Sequence, residues 1–197
     1  MFADLLCQPG VTELVELRSR VGFLALHGGL EPGTSELAAE SAARAAASLY
    51  AVFQPDDLKW HVPAHLVDPS CVPRLAEFLD HVDVVVSIHG YWRDDLRMAL
   101  LLGGANRALA RRLAEIVQPV LPDYEVVDDI DRIPPGLRGV NPQNPVNLSR
   151  AGGVQLELPH PVRAIGPYGY GYAGQVYRPH TERLVAALVT FAAVCGV

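Results

Sequence analysis

The sequence predicts an α/β fold with an open, mixed and largely parallel sheet that is flanked by helices. Short runs rich in Val, Leu and Ile recur along the chain, and stretches of helical composition separate them. Continuous apolar strands of this kind are typical of sheets that helices cover on both faces. The chain has the length of one domain, and 50% of its residues are hydrophobic. We therefore expect residues 1–197 to form a single domain.

The first predicted unit is a strand, a loop and a helix. Residues 21–26 form an apolar run that ends in His27 and two glycines, and the alanine-rich stretch 35–50 has helical composition. Thr34 is a suitable N-cap for this helix. Glu36 falls in the first turn, where the helix dipole favours a negative charge. The unit places His27 at the end of a strand.

A second unit repeats this plan further along the chain. A strand at 82–88 ends in His89 and a glycine, and a helix at 105–117 follows it, with Pro119 just beyond. The remaining predicted elements are strands at 124–128 and 153–158 and a helix at 181–194. We expect the two long loops, 129–152 and 159–179, to carry function, as long loops in compact domains commonly do.

The charge of the chain argues against two classes of partner. Its 16 Lys and Arg residues and 22 Asp and Glu residues give a formal net charge of -6. Nucleic acids and anionic membranes are held mainly by clustered basic side chains, so we expect neither as a partner. The N-terminus lacks a basic segment followed by an apolar run, and we expect a cytoplasmic location. The sequence does not indicate an oligomeric state.

Three residues have the chemistry of a catalytic metal site. His27 and Glu31 lie close together in the loop HGGLEPG, and His89 ends the second predicted strand. Ligands of α/β sheets bind beyond the carboxyl ends of the strands, where both histidines fall. Catalytic zinc sites commonly take three protein ligands from His and Asp or Glu and leave one position for water. We predict zinc at His27, Glu31 and His89, with Glu36 as the alternative to Glu31.

Glu157 is the candidate general base. In GVQLEL at 153–158, Gln155 and Glu157 alternate with apolar residues and share one face of a strand that the fold class would bury. Burying an unpaired carboxylate is costly, which favours a functional role. The alternative is an edge strand with a solvated polar face. In the functional interpretation, Glu157 takes a proton from a metal-activated water and passes it to the departing amine.

Two other kinds of site find no support in the sequence. The three cysteines lie far apart and outside any motif with a histidine, which argues against disulfides, a thiolate zinc site and cysteine catalysis; they are Cys7, Cys71 and Cys195. The HGG tripeptide also occurs in the oxyanion loop of esterases. That interpretation requires a nucleophile elbow of the type G-x-S-x-G, which the chain lacks.

Three segments resemble the poly-gamma-glutamate hydrolases of phages and bacteria, which are similar to a compact zinc carboxypeptidase. They are HGGLEPGTSELA at 27–38, SIHG at 87–90 and GGVQLEL at 152–158. The resemblance implies a zinc-carboxypeptidase-like fold, zinc on His27, Glu31 and His89, and Glu157 as the catalytic base. The segment WHVPAHLVDP at 60–69 is similar to a further family motif with histidine and aspartate at His65 and Asp68, but it departs from that motif at several polar positions.

The implied substrate is acidic, and it requires local positive charge in an acidic protein. Arginine suits this task because its planar fork can hold a carboxylate through two bonds. The candidates for substrate binding are Arg93, Arg107 and Arg150, with Arg97 behind them, together with Asn147 and His65. Asn144 and Asn147 belong to NPQNPVN, and Asn-Pro clusters are also common in turns. The run PYGYGYAG at 167–174 fits either a flap or a surface loop.

The expected activity is zinc-dependent hydrolysis of gamma-glutamyl amide bonds in poly-gamma-glutamate or a related acidic substrate. The substrate is then an acidic polymer or a small acidic amide. A zinc deacylase of a small N-acyl amino acid would use the same residues with a smaller pocket. The third possibility is a non-catalytic binding module on the same fold, but the presence of all four residues of the predicted site counts against it.

Overall fold

The computed structural model of the protein describes residues 1–164 and 178–196. The strands are β1 (Thr12–Glu16), β2 (Val21–Gly28), β3 (Ser48–Phe53), β4 (Val84–Gly90), β5 (Ala99–Leu102), β6 (Glu125–Val127) and β7 (Gly153–Leu158). The α-helices are α1 (Phe2–Leu6), α2 (Thr34–Ala45), α3 (Pro73–His81), α4 (Arg107–Val117) and α5 (Arg178–Cys195). Several short 3-10 turns join them. No helix within the described ranges is both long and apolar enough to cross a membrane.

The seven strands form one open mixed sheet in the order β1-β3-β2-β4-β7-β5-β6. Four neighbouring strands, β3, β2, β4 and β7, run parallel. β1 is antiparallel to β3, and β5 is antiparallel to β7 and carries β6 in parallel. Every residue of β2 and β7 is buried, including the polar Gln155 and Glu157 of β7. The predicted fold class is confirmed.

Helices cover both faces of the sheet. On one face, α2, α4 and α5 pack on alternate residues of the central strands; the cluster includes Phe23, Ala25, Val86, Ile88, Val154, Leu156, Leu113 and Phe191. On the other face, α1 and α3 pack on the intervening residues, and this cluster includes Phe2, Leu5, Leu24, Leu26, Val85 and Phe78. Segments outside the α-helices complete the cover of this face, since Val62, Val67 and Val146 belong to the same cluster.

The predicted helix 35–50 is too long at its C-terminal end. α2 ends at Ala45, and Ala46 adopts a left-handed conformation, with φ of 49°, that terminates the helix. Residues 48–53 form β3, whose Leu49 and Tyr50 pack on opposite faces of the sheet. Alanine is the strongest helix former, so the alanine-rich sequence gave no signal of this boundary. The predicted C-terminal helix is confirmed as α5, whereas most of the loop 159–179, including 167–174, lies outside the described residues.

Candidate metal centre and active site

A β-bulge at the end of β2 aims His27 into the site. The pairing of β2 with β3 shifts register between Ala25 and Gly28. Strict alternation would put His27 on the face of Ala25, under α2 and α5. Instead, its Nε2 lies 2.9 Å from the carbonyl oxygen of Val62, which packs on the opposite face. Bulges re-aim side chains next to functional sites, and this one brings His27 to the face that carries His89.

His27, Glu31 and His89 converge on one point. Their ligand atoms all lie within 4.8 Å of one another. His27 Nδ1 is 2.9 Å from Glu31 Oε1, and His89 Nδ1 is 3.6 Å from Glu31 Oε2. The backbone N–H of Gly90 donates to Glu31 Oε2 at 2.9 Å and helps to fix the carboxylate. Both histidines are buried, so the cluster is largely shielded from solvent.

The protonation of the two rings fits a metal cation. The carbonyl oxygen of Val62 can only accept, so His27 must donate to it through its Nε2–H. In a neutral ring, His27 Nδ1 then presents a lone pair to the Glu31 carboxylate. Two lone pairs at 2.9 Å repel, and the position therefore requires a cation, either a proton or a metal. His89 Nε2 lies 2.9 Å from Ser87 Oγ, which likewise orients its Nδ1 towards Glu31.

The charges of the cluster support one another. Burial alone would raise the pKa of Glu31, but the charges and hydrogen bonds of the two histidines outweigh it and lower that pKa. Burial alone would lower the pKa of His89, but the hydrogen bond and charge of Glu31 and the charge of Glu157 raise it. An anionic carboxylate and a nearby positive charge are thus favoured together; in a metal site the cation supplies that charge and both histidines are neutral.

Glu157 lies beside this cluster. In the parallel pairing of β4 with β7 it is the partner of His89, and it is only 4% exposed. Burial raises the pKa of Glu157 to about 7, although the charge of His89 opposes this shift. In the described part of the chain, the group that could hold a metal comprises the two histidines and Glu31 but not Glu157. A carboxyl group with a pKa near neutrality can both accept and return a proton.

Two amide side chains hold Glu157 in place. Gln155 Nε2 donates to Glu157 Oε1 at 2.9 Å, and Asn144 Nδ2 donates to Gln155 Oε1 at 2.8 Å. All three residues are buried. The interaction with Asn144 fixes the orientation of the Gln155 amide, so that its N–H groups point at the carboxylate. This chain of hydrogen bonds gives Glu157 one defined orientation.

A cavity of about 690 Å³ opens over these residues. The carboxylates and histidines of the cluster form its floor, and two segments form its walls; they are 61–65 and 135–144. His61 and His65 line the first wall, and the ring of His61 lies 4.8 Å from that of His27. Within the described ranges no lysine or arginine lines the cavity.

The four predicted arginines lie elsewhere. Arg93 and Arg97 form ion pairs with Asp95 and Asp94, and Arg150 lies 3.4 Å from a carboxylate oxygen of Asp83. Arg107 donates to backbone carbonyl oxygens, those of Leu102, Gly104 and Asp128. None of the four is among the described lining residues. The structure therefore does not bring them to the cavity, and an interaction with substrate outside its walls stays a prediction.

The other predicted residues are placed as follows. His65 lines the cavity. Asn147 supports the wall loop instead, because its Nδ2 donates to the carbonyl oxygens of Gly139 and Asn141. Glu36 lies in the first turn of α2, where burial raises the pKa of its carboxyl group. Of the two candidate carboxylates, the structure thus brings Glu31 to the histidines.

Sequence reasoning missed Arg163 and the roles of His61 and Gln155. Arg163 is 4% exposed, and the negative charges of Glu31 and Glu157 stabilise its positive charge. It follows β7 in a segment without a regular pattern, so no local signal indicates its burial. His61 lies four residues before the predicted His65. The alternation that singled out Glu157 applies equally to Gln155 and could have identified it.

Comparisons with known proteins identify the family and the fold of the chain. Residues 7–165 match the family described as poly-gamma-glutamate hydrolase. The SPbeta prophage-derived protein YoqZ of Bacillus subtilis (strain 168) is 32% identical over 142 residues, which are 71% of this chain and 48% of that protein. The chain thus spans about half the length of this curated relative.

Solved structures share the fold. A bacteriophage poly-gamma-glutamate hydrolase superposes with a TM-score of 0.74 at 22% identity, covering 98% of this chain and 93% of that chain. YNDL in its zinc-free apo form gives a TM-score of 0.75 at 24% identity, covering 95% and 91%. A putative carboxypeptidase from Burkholderia mallei ATCC 23344 gives 0.55 at 10% identity, covering 93% and 59%. The fold is therefore zinc-carboxypeptidase-like, and, since the family match covers most of its length, the chain belongs to the poly-gamma-glutamate hydrolase family.

Proposed function

We propose that the protein is a zinc-dependent hydrolase that cleaves gamma-glutamyl amide bonds in poly-gamma-glutamate or a related acidic substrate. One observation carries the proposal. Two histidines present Nδ1 atoms to the two oxygens of Glu31, next to a buried Glu157 whose pKa is raised to about 7. A metal-ligand set and a general base are the parts that amide hydrolysis by activated water requires.

His27, Glu31 and His89 would hold the metal. Nitrogen and carboxylate ligands of this kind suit zinc, and three protein ligands leave a position open. A zinc ion bound there supplies a Lewis acid that polarises the amide carbonyl and makes water a stronger nucleophile. The Val62 carbonyl and the Ser87 hydroxyl hold the rings in the orientation that presents Nδ1.

Glu157 moves the proton. It accepts a proton from the attacking water at a carboxylate oxygen and returns that proton to the nitrogen of the departing amine. Its buried position supports both steps, because a pKa near 7 leaves the carboxylate basic enough to accept the proton and acidic enough to release it. Gln155 keeps one oxygen in a fixed hydrogen bond and leaves the other for the reaction.

The volume of the cavity supports a second candidate. At about 690 Å³ it has the size of sites that bury a small ligand, and its described walls carry neutral and histidine side chains. A zinc deacylase of a small N-acyl amino acid would fit such a cavity. The two candidates differ in the length of substrate that they turn over.

One experiment tests the proposal. The metal content of the purified protein is measured, and hydrolysis of gamma-linked polyglutamate is followed with and without chelator. We expect bound zinc, polymer cleavage, loss of activity with chelator and recovery when zinc is restored. Cleavage that resists complete removal of metal would contradict the proposal. Turnover of short N-acyl amino acids without polymer cleavage would favour the second candidate.

A further inference from the structure

Arg163 carries a buried charge that the proposed chemistry does not use. The residue is only 4% exposed and lies just beyond β7. Its Nη1 donates to the carbonyl oxygen of Pro32 at 2.7 Å and its Nη2 to that of Tyr91 at 3.4 Å. Among the described residues its Nε–H has no hydrogen-bond partner. A buried guanidinium with an unmet donor is expensive for a fold to keep, so its retention calls for a reason.

The two carbonyl oxygens belong to the segments that carry the metal ligands. Pro32 directly follows Glu31, and Tyr91 lies two residues after His89. The guanidinium therefore ties the loop of one ligand to the strand end of the other. Gly90, between His89 and Tyr91, completes the link because its N–H donates to Glu31 Oε2.

Two glycines make room for this link. A Cβ on Gly90 would lie 2.5 Å from the guanidinium carbon of Arg163, and a Cβ on Gly33 would lie 2.2 Å from its carbonyl oxygen. Real Cβ atoms do not come so close, so any other residue at either position would displace the arginine or the ligand loop. The fit is tight on both sides of Arg163.

Charge also connects Arg163 with the site. Glu31 and Glu157 attract the guanidinium, but within the described ranges neither carboxylate forms an ion pair with it. The guanidinium thus adds positive charge near both acids without occupying their oxygens. Arg163 is not among the described lining residues of the cavity, and Gly90 lies between it and that space.

We propose that Arg163 is a positioning residue of the metal centre, which fixes the Glu31 loop against the end of β4 so that Glu31 and His89 are held at metal-binding separation. This inference rests on the proposed function, because it presumes that the cluster binds zinc. Arg163 does not contact the substrate. It acts through the metal ligands, as residues that hold and orient the ligands of metal sites do.

The test compares three single variants of the full chain. Arg163→Lys keeps the charge and loses the double link, and Gly90→Ala keeps the arginine and pushes the guanidinium aside. Arg107→Lys is the matched control, because Arg107 also donates to backbone carbonyls but sits at the start of α4. The zinc dissociation constant is measured by competition with a chromophoric chelator, and folding is checked by thermal unfolding without metal.

We expect Arg163→Lys and Gly90→Ala each to weaken zinc binding by about 10–100-fold. Arg107→Lys should lower the unfolding temperature and leave zinc binding within about twofold of the parent. At saturating zinc, Arg163→Lys should keep the KM of the parent, because the arginine does not touch the substrate. If Arg163→Lys does not fold, Gly90→Ala with the native arginine still gives the zinc measurement.

The outcomes separate the two proposals. Zinc binding by the parent together with unchanged affinity in the folded Arg163 and Gly90 variants would overturn the positioning role and leave the proposed function standing. An equal loss of affinity in the Arg107 control would overturn it too, since the effect would then be one of general stability. Failure of the parent to bind zinc would overturn both proposals.

Discussion

The two faces of the strand pair β4 and β7 differ in chemistry although they share a backbone. One face carries Val86, Ile88, Val154 and Leu156, which pack under α2, α4 and α5. The other carries Ser87, His89, Gln155 and Glu157, which meet the metal cluster and the cavity. Because side chains alternate along a strand, each of these polar residues is next in sequence to a residue of the apolar face.

Polar residues are tolerated on the second face because they bind one another. His89 has Ser87 as a partner on its own strand, and Glu157 has Gln155 in the equivalent position on β7. Buried polar groups with partners are far less costly than unsatisfied ones. The comparison indicates that the apolar face should determine stability and the polar face should determine chemistry, and single substitutions can test each half.

The largest effect is expected for Glu157→Gln on the polar face. The amide keeps the size of the side chain but cannot accept the proton, so turnover should fall by about 10²–10⁴-fold. Hydrolysis is measured at saturating zinc, with metal content and thermal unfolding as controls. Both controls should stay near the parent values. Activity within a few-fold of the parent, or loss of zinc, would show that Glu157 is not the non-ligating base.

Leu156→Ala tests the apolar face at the neighbouring position. Leu156 is fully buried, and removal of its side chain leaves a cavity under the helices. We expect the free energy of unfolding to fall by about 2–5 kcal/mol, measured by urea denaturation. In the folded protein, zinc affinity should stay within about twofold of the parent. A large loss of zinc affinity without loss of stability would break the division between the faces.

Gln155→Leu should change the pH dependence of the reaction. The hydrogen bond from Gln155 stabilises the ionised form of Glu157 and lowers its pKa, so its removal should raise that pKa further. Because the base must be ionised to accept a proton, the acid limb of the profile of kcat/KM against pH should move to higher pH. A shift of about one pH unit is expected, with about tenfold lower activity on that limb. An unmoved profile would show that Gln155 does not tune the base.

Arg150→Gln should have the smallest effect. The side chain is 75% exposed and its contact with Asp83 is at the surface, so stability should change by less than about 0.5 kcal/mol. Since the residue lies outside the cavity, the KM for gamma-linked polyglutamate should stay within about twofold at low ionic strength. A strong, salt-sensitive rise in KM would show that the substrate extends over this surface.

The sequence predicted the centre of the site better than its surroundings. The placement of His27, His89 and Glu157 at one edge of the sheet could be predicted because strand ends and period-two alternation are local patterns. Arg150 is a substrate-binding candidate because it closely precedes the strand of Glu157, whereas Arg163 is not among the candidates. However, Arg150 lies before the first residue of β7 and Arg163 follows its last, and the site is at the carboxyl end. Distance along the chain does not indicate which end of a strand a residue will occupy.

Three strands, β1, β3 and β5, were not predicted, and the omission of β3 has a similar cause. β3 follows an alanine-rich helix after two residues, and its own sequence, SLYAVF, contains alanine as well. What makes it a strand is its place between β1 and β2, which depends on pairing across the sheet. Tertiary pairing of this kind overrides local propensity and cannot be read from one segment.

The bulge in β2 makes the site depend on chain length as well as on composition. Insertion of one residue into β3 between Val52 and Phe53 would give the extra residue of β2 a partner, restore regular pairing and turn His27 towards α2 and α5. The sequence of β2 would be unchanged, and the motif HGGLEPG would be intact. His27, Glu31 and His89 would all be present, yet the metal centre would lack a ligand. Design on this scaffold should therefore treat the length of β3 opposite the bulge as fixed, because an insertion there does what no single substitution around it does.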